Sequence, residues 1–426
     1  MQHRPSPAPT CSPSGEFALG FKEFVALIAA LMALNALSID PMLPALPAIG
    51  RDLGVSDPNA RQWIITAYFI GLGVGALFYG SLSDRYGRKP VLTVSILMLM
   101  MGTLFCALAQ SFTMLLIGRV ACGFVAAASR VVAVSIVRDR FHGDQMARIM
   151  SLIFLVFMVV PILAPTMGQV VMLFAPWRWI FGTLLILAAL VFAWMTIRLP
   201  ETLDPHNRVE IGAADIAATL RIIVTHRSSM AYMVASGVVM GALLGFITSI
   251  QQIFFDIFHA PTLFPLAFAG IAAFMGLGSF FNSHLVERVG ARRLSQGSLI
   301  CMILLATIHS GVILMGWETM ASFIGLQAMT TLCFAFTGSN FSAISMEPFA
   351  RGAGMASSFQ ACLTTIVSAL LGAFVGAQFH GTTLPVTLGF LGYGLLALTI
   401  VAWGERGRLF SRPHHAGLRP VEMEIL

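Results

Sequence analysis

Twelve apolar runs, each long enough to cross a lipid bilayer, constrain the fold of this chain more than any other feature. A spanning helix needs about 20 mostly apolar residues. Charged residues make up only 10% of the chain, against roughly 25% in soluble domains, so the chain has too few charged side chains to cover a water-facing surface. The sequence therefore predicts an all-α membrane protein with 12 transmembrane helices. The runs lie at residues 22–47, 60–82, 90–109, 112–138, 147–172, 177–197, 230–255, 262–286, 295–315, 318–346, 352–378 and 384–404.

Polar segments divide these runs into two halves of six. We expect a disordered cytoplasmic tail at 1–20, an N-terminal half at 21–199, a cytoplasmic linker at 200–228, a C-terminal half at 229–405 and a second cytoplasmic tail at 406–426. Within the linker, Ile211–Val224 predicts an amphipathic helix on the membrane surface. The stretch Ser283–Arg292 repeats the leucine, acid, arginine, glycine and terminal base of Gly80–Lys89. Such internal repeats are typical of transporters whose substrate site lies between the halves near mid-bilayer.

The positive charges predict how the chain is oriented. With both termini in the cytoplasm, the outer loops hold only Arg51, Arg61 and Arg178 of the 25 Lys and Arg. Arg119 and Arg130 lie inside the fourth run, and all the others fall in cytoplasmic segments, as the positive-inside rule requires. The pattern favours an even number of spans with both ends inside.

The residue pattern contains no constellation for catalysis. Five of the six cysteines lie in apolar runs without the spacing of metal ligands, and there is no phosphate-binding G-x-x-x-x-G-K-[ST] loop. No nucleophile stands beside a general base in a recognisable motif. We therefore expect neither an enzyme nor a metal site nor a bound cofactor. The net charge of +6 follows from the topology and does not indicate a nucleic-acid partner.

Asp40, in the first run, is the first candidate for a functional side chain. A charged group in hydrocarbon costs at least ~2.5–3.5 kcal/mol, so it should face an internal cavity. The three prolines that follow, Pro41, Pro44 and Pro47, remove backbone donors and loosen that half of the helix. Because a low-dielectric setting favours a neutral carboxyl group, Asp40 can hold a proton that is exchanged with substrate. The alternative is a carboxylate permanently paired with an arginine or capping the broken helix.

Arg119 and Arg130, in the fourth run, are the candidate cations. Arg119 would favour the deprotonated form of a nearby Asp40, and loading a proton or substrate could break that link; a purely structural role is the alternative. Arg130 lies about three helical turns further on, on nearly the same face. It would bind an anionic substrate that enters from the cytoplasm. Alternatively, its guanidinium group would snorkel towards the membrane surface or form an ion pair at the gate. Tyr68, Asn340 and Gln360 are further candidates for the wall of the substrate cavity.

The stretch Gly80–Lys89, between the second and third runs, predicts a tight loop at the membrane surface. Its glycines allow close packing and a sharp turn, and its acid and bases predict ion pairs on the basic side of the bilayer. In the fifth run, Pro161, Pro165 and Gly168 predict a bend with close packing against another helix. The residues expected to form the gate are Gly80, Asp84, Arg85, Gly87, Arg88, Arg138, Asp139, Glu287 and Arg288.

These stretches together resemble the major facilitator superfamily. Ser38–Pro47 is similar to the first-helix signature of its Bcr/CflA (bicyclomycin/chloramphenicol-resistance) group of drug:H+ antiporters, and Gly80–Lys89 resembles the superfamily's loop between helices two and three. Arg119, Ser135–Phe141, Pro161–Pro165 and Trp177–Phe181 then follow the order of that group through helices four to six. The resemblance covers residues 20–405.

This resemblance implies the major facilitator fold and proton-driven efflux of drug-like, amphipathic molecules from a bacterium, across its inner membrane, with no cofactor other than the proton motive force. It further implies that Asp40 is the proton-coupling carboxylate, that Arg119 is its switch partner and that Asp84 governs the inner gate. The partners would be a small-molecule substrate, protons and the lipid bilayer, with no nucleic acid, and the protein would act as a monomer.

The chain departs from the group at two places. Ala164 and Gln169 stand where the fifth-helix motif usually has glycine, so its packing is altered. Arg130 stands where a small or polar residue is expected, which favours an anionic substrate. The alternative function is therefore a proton-coupled exporter or symporter of a specific, anionic metabolite, and a non-transporting membrane sensor is a third hypothesis.

Overall fold

The computed structural model describes residues 19–141, 143–204, 220–349 and 353–410, with part of the side chains between 143 and 162 left aside. Long helices make up these residues. We number them α1 Phe21–Leu37, α2 Trp63–Tyr86, α3 Arg88–Ala107, α4 Phe112–Arg140, α5 Gly143–Phe174, α6 Arg178–Arg198, α7 Arg227–Gln252, α8 Phe264–Val289, α9 Ala291–Leu314, α10 Met320–Met346, α11 Ala353–Ala377 and α12 Leu384–Gly404.

Eleven helical stretches in the described residues are long and apolar enough to cross a membrane. Helix α5 has 32 residues, and its part Leu163–Phe174 is apolar. The prediction of a multi-pass, all-helical membrane protein is confirmed, and α5 has the length that the predicted fifth span requires. We call the end of the bundle where α1 begins and α12 ends the tail end, and the opposite end the far end.

The first span is a broken helix. α1 ends at Leu37, a 3-10 helix covers Asp40–Ala45, and a short α-helix covers Leu46–Asp52. Prolines cause the break, because each one removes a backbone donor and its ring clashes with the preceding turn. A Cβ on Gly168 of α5 would collide with the backbone of Pro41. The glycine therefore lets α5 hold the broken segment in place beside Asp40.

The prediction that a loop covers the whole of Gly80–Lys89 is wrong. Helix α2 continues through Tyr86 and α3 begins at Arg88, so that Gly87 alone separates them, with φ of 101°. Gly290 separates α8 from α9 in the same way, with φ of 92°. Only glycine adopts such backbone angles without strain, so one residue reverses the chain and the polar side chains lie on helix ends.

Helices α1–α6 and α7–α12 meet mainly where α2 packs along α11 and α5 along α8. The α2–α11 contact is antiparallel and long: Asn59, just before α2, reaches Phe379, and near the other end Gly80 lies against Ser358. Within the first group, α2 and α4 pack closely. These contacts place α1, α2 and α4 opposite α7, α8 and α10.

Parts of the predicted tails and linker lie outside the described residues. The first tail is described only at 19–20 and the second only at 406–410. The predicted amphipathic helix Ile211–Val224 is described only from residue 220, where the chain is helical.

Candidate functional site

A central cavity of about 230 Å³ lies between the two groups of helices. Residues of α1, α2 and α4 line one side, and residues of α7, α8 and α10 line the other. Two charged side chains, Asp40 and Arg130, contribute to its wall, and Asn35 and Thr331 are also present. Most of the remaining wall is apolar. The cavity therefore combines an amphipathic binding space with one carboxylate and one guanidinium group.

Asp40 starts the 3-10 helix of the broken first span and is 8% exposed. No hydrogen bond or ion pair joins its carboxyl group to another described residue. A buried carboxylate without a partner is costly, so this group is suited to change its protonation state. The predicted position of Asp40 in an internal cavity agrees with its place in the structure.

Arg119 lies beside Asp40's cavity but outside it. Its Nε donates to the Ile64 carbonyl oxygen at 3.1 Å, and its guanidinium group stacks over the Tyr68 ring at 4.5 Å. Its Nη2 is buried without a hydrogen-bond partner among the described residues. The structure forms no ion pair between Arg119 and Asp40, so the predicted switch pair is not in contact in this conformation.

Tyr68 and Asn35 connect Arg119 to the cavity. The Tyr68 hydroxyl donates to the Asn35 side-chain oxygen at 3.2 Å, and the Asn35 amide donates to the Ala126 carbonyl oxygen at 3.2 Å. Tyr68 is fully buried and does not line the central cavity as expected. Its ring lies instead under the Arg119 guanidinium group. Asn35 was missed in the sequence, although an amide inside an apolar run is a recognisable signal.

A second cavity of about 270 Å³ lies nearer the tail end, between α2, α4 and α11. Gly80, Asp84 and Arg138, three of the predicted gate residues, line it. Arg130 and Leu72 line both cavities. Arg130 therefore stands at the boundary between the central cavity and the tail-end cavity.

The Arg130 side chain is accessible to water-sized molecules and lines both cavities. None of the carboxylates in the described residues pairs with it. Arginine stays protonated in proteins, so this side chain keeps its positive charge. The cavities thus contain a fixed cation whose hydrogen-bond donors are free of protein partners among the described residues.

An ion-pair triad joins the tail-end termini of α2, α3 and α4 to one another. Arg88 is 3% exposed and donates to Asp84 at 2.6 Å, to Asp139 at 2.8 Å and to Ser83 at 2.7 Å. The sequence predicted these charges at a gate, and the structure brings Asp84, Arg88 and Asp139 together. Arg138 points elsewhere, into the tail-end cavity.

Glu201, which follows α6, was missed by the sequence analysis. Its carboxylate accepts hydrogen bonds from the backbone N–H groups of Arg88 at 2.9 Å and Lys89 at 3.1 Å, at the start of α3. A carboxylate is favourable at a helix N-terminus because it satisfies unpaired donors and complements the helix dipole. Its position just past a predicted span gave no local signal of this contact.

The second group of helices has a related cluster, which is centred on Arg292, the terminal base of the repeated motif. Arg292 donates to Glu347 at 2.8 Å and to Glu405 at 3.0 Å, so it joins the ends of α10 and α12. Glu287 and Arg288, the predicted counterparts of Asp84 and Arg85, are exposed on α8. Arg85 stacks on the neighbouring Tyr86 ring at 5.3 Å.

Substituting Arg88 by alanine is expected to lower the stability of the protein by about 3 kcal/mol. Breaking a buried ion pair costs about 3–5 kcal/mol. The Asp84 side chain is 33% exposed, so water screens its attraction to Arg88 and the expected cost lies near the lower limit. Thermal unfolding in detergent measures the change. Arg293→Ala, an exposed arginine at the same end, is the matched control, and equal melting temperatures for the two variants would contradict the prediction.

A hydrogen-bonded latch closes the far end between the two groups of helices. The Gln62 amide donates to the Gln252 side-chain oxygen at 2.6 Å and to the Gly376 carbonyl oxygen at 3.2 Å. Gln252 in turn donates to Asn59 at 3.1 Å, and Asn59 donates to the Phe379 carbonyl oxygen at 2.9 Å. We call these residues the far-end latch. Its hydrogen bonds join the two groups of helices at the far end.

Substituting Gln62 by alanine is expected to shift the protein roughly tenfold towards a conformation open at the far end. Two lost hydrogen bonds of about 0.5–1.5 kcal/mol each account for this shift. Spin labels at Asp57 and His380, two exposed positions beside the latch, report the opening as a longer distance. Gln378→Ala, whose exposed side chain lies outside the latch, is the control. Unchanged distance distributions in Gln62→Ala would show that the latch does not hold the closed state.

The remaining predicted residues lie outside both cavities. The Asn340 amide donates to Asn282 at 2.7 Å, and the Gln360 amide donates to Ser342 at 2.8 Å. Both side chains therefore form hydrogen bonds between neighbouring helices. In α5, Pro165 is buried and Gly168 packs on Pro41, whereas the Pro161 side chain lies outside the described residues. Within the described ranges, no group of His, Cys, Asp and Glu side chains could hold a metal ion.

Comparisons with known proteins agree with this architecture. The Major Facilitator Superfamily profile matches residues 26–373. The chain is 28% identical over 345 residues to a bicyclomycin resistance protein homolog of Haemophilus influenzae, covering 79% of this chain and 85% of that protein. It is 29% identical over 349 residues to the uncharacterized MFS-type transporter YdgK of Bacillus subtilis, covering 79% and 84%. It is 27% identical over 335 residues to the multidrug resistance protein MdtL of Shewanella oneidensis, covering 76% and 80%.

Solved structures show the same fold at low sequence identity. The D-xylose-proton symporter superposes with a TM-score of 0.70 at 12% identity, covering 90% of this chain and 97% of that chain. The human organic anion transporter MFSD10 superposes with a TM-score of 0.61 at 16% identity, covering 90% and 100%. The predicted resemblance to the drug-resistance transporters is confirmed by the sequence relatives, and the chain belongs to the Major Facilitator Superfamily, a family of membrane transporters and not of enzymes.

Proposed function

We propose that this transporter exports drug-like, amphipathic small molecules across the bacterial inner membrane in exchange for protons. The observation that carries the proposal is Asp40, a buried carboxyl group in the central cavity with no hydrogen bond or ion pair to another described residue. An ionisable group in such a place is expensive and indicates a proton or ion pathway. The names of the relatives in Haemophilus influenzae and Shewanella oneidensis, which refer to bicyclomycin and multidrug resistance, support export of drugs.

The transport cycle follows from alternating access. A proton from outside neutralises Asp40 and weakens its hold on the substrate, which leaves outwards. Loss of that proton to the cytoplasm restores the carboxylate, which can then bind substrate from inside. The closed far-end latch, together with a tail-end cavity that meets the central cavity at Arg130, supports a conformation that receives substrate from the tail end. The proton motive force is the only energy source in this cycle.

The tail end faces the cytoplasm in this proposal, and both termini lie there. The support is the positive-inside rule, since Arg85, Arg88, Lys89, Arg406 and Arg408 lie at that end. Residues 21–199 and 229–405 form the two rocking halves. The α2–α11 and α5–α8 contacts supply the interface on which they move, and one chain is sufficient for the cycle, so we propose a monomer.

Substrate-driven proton movement in inverted membrane vesicles tests this function. Respiration acidifies the vesicle interior, which corresponds to the outside of the cell, and a fluorescent pH dye reports that gradient. Adding bicyclomycin or chloramphenicol to the outside of the vesicles should release protons from the interior while the compound accumulates inside. Vesicles without the protein are the control. Exit of preloaded compound together with protons would instead establish symport and contradict the proposal.

A further inference from the structure

The central cavity carries two opposite charges that do not neutralise each other directly. Asp40 and Arg130 both line it, and the structure forms no ion pair between them. Each is therefore free to pair with a group of the bound molecule. The apolar side chains of the same wall include Met32, Phe69, Met240, Phe246, Phe268 and Met275.

The apolar wall determines what part of a ligand can fill the space between the charges. Methionine side chains are flexible and adapt to different shapes, and phenylalanine rings offer flat apolar surface. This wall provides few polar groups with which to satisfy a hydrophilic ligand along its length. A compound that fits has an apolar, preferably aromatic, body.

The two charges determine the ends of the ligand. A ligand with only a cationic group would pair with Asp40 but would bring a second positive charge close to Arg130. A ligand with only an anionic group would pair with Arg130 but would face the Asp40 carboxylate. Like charges brought together in a low-dielectric cavity repel strongly. A molecule with one group of each sign satisfies both side chains and leaves the cavity neutral.

From this arrangement we infer that the central cavity selects zwitterionic amphiphiles, with the anionic group of the ligand on Arg130 and its ammonium group on Asp40. This inference rests on the proposed function, since it names the substrate class of that same cavity. Arg130 provides planar, paired donors that match a carboxylate. Asp40 provides the acceptor for the ammonium group.

This division of roles is compatible with proton exchange. A proton on Asp40 removes the attraction for the ammonium group, and the ammonium group in turn disfavours the proton, so the two compete for the same carboxylate. Arg130 keeps its charge throughout and holds the anionic group in both protonation states. A purely anionic ligand on Arg130 would instead make protonation of Asp40 easier and would favour movement of proton and substrate together.

The test measures direct binding to the purified full-length protein in detergent by isothermal titration calorimetry, at a pH where Asp40 is deprotonated, which a titration across pH identifies. The probes share one body: a biphenyl with an aminomethyl group at one end and a carboxylic acid at the other, its methyl ester, its N-acetyl derivative and the compound blocked at both ends. The expected wild-type result is that the zwitterion binds at least about tenfold tighter than either singly blocked compound, as for charge-assisted hydrogen bonds.

The variants assign each end of the ligand to its side chain. Arg130→Gln should bind the zwitterion and its methyl ester equally well, and should still prefer the zwitterion to the N-acetyl derivative. Asp40→Asn should bind the zwitterion and the N-acetyl derivative equally well, and should still prefer the zwitterion to the methyl ester. Arg130→Lys keeps the charge and should keep most of the preference. Arg293→Gln, an exposed arginine that lines neither cavity, is the matched control, and a melting curve for each variant confirms that it is folded.

Three results would overturn the inference. The wild type could bind the methyl ester more tightly than the zwitterion, or a folded Arg130→Gln variant could keep the wild-type ratio of zwitterion affinity to methyl ester affinity. The third is that none of the four compounds binds at millimolar concentration. Binding does not require proton movement. If the selectivity appears but proton exchange does not, the proposed export function fails while the zwitterion site stands. If proton exchange occurs only with neutral drugs, the zwitterion inference fails while the export function stands.

Discussion

Substituting Asp40 by asparagine is expected to abolish gradient-driven export, down to the level of vesicles without the protein, while the protein stays folded. Asparagine has almost the same shape as aspartate, but it cannot take up or release a proton. Since no other described residue donates to Asp40 or pairs with it, the substitution breaks no structural contact. The stability of the fold should change little, because burial already favours the neutral carboxyl group at this position.

Two transport measurements separate coupling from binding in this variant. Uphill accumulation in inverted vesicles should be lost, whereas exchange of labelled for unlabelled neutral substrate across vesicles without a gradient should continue, because it needs only alternating access. Asp57→Asn, at an exposed position outside the cavity, is the matched control and should accumulate substrate normally. Uphill accumulation by Asp40→Asn at wild-type levels would move proton coupling to another residue.

The sequence was sufficient to find the charged residues of the site because the cost of a charge in hydrocarbon is a local property. Asp40, Arg119 and Arg130 each stand out from an apolar run, and the structure places two of them in the central cavity. The break in the first span was predictable for the same reason, since each proline acts on its own turn. The residues around Gly80–Lys89 were correctly identified as polar and basic, but composition alone could not separate a loop from two helix ends joined by Gly87.

The contacts between those residues could not be predicted in the same way. Arg119 stacks on Tyr68 and does not pair with Asp40, because the crossing of α2 and α4 decides which ring lies under the guanidinium group. The far-end latch joins Gln62 to Gln252, which lie in different groups of helices. Pairings over such sequence distances depend on the packing of whole helices and leave no local pattern.

The α2–α4 crossing itself depends on the absence of a side chain at Gly123. A Cβ at this position would collide with the backbone carbonyl group of Tyr68 and would lie 3.0 Å from the Leu72 backbone nitrogen. Gly71 and Gly75 of α2 meet the backbone of α4 in the same close way. Small residues at such contacts let helices in a membrane approach until their backbones touch. This approach positions Tyr68 beneath Arg119 and next to Asn35.

Substituting Gly123 by alanine is therefore expected to destabilise the protein by at least about 3 kcal/mol, the upper part of the range for overpacked sites, because backbone rather than a flexible side chain must move. Gly270→Ala is the matched control: it lies in α8 with open space around the added Cβ and gains the same helix propensity of about 1 kcal/mol. The melting temperature and the yield of monodisperse protein should fall sharply for Gly123→Ala and stay level or rise for Gly270→Ala. If both alanines were tolerated equally, the close α2–α4 crossing could not be what holds Tyr68 and Arg119 together.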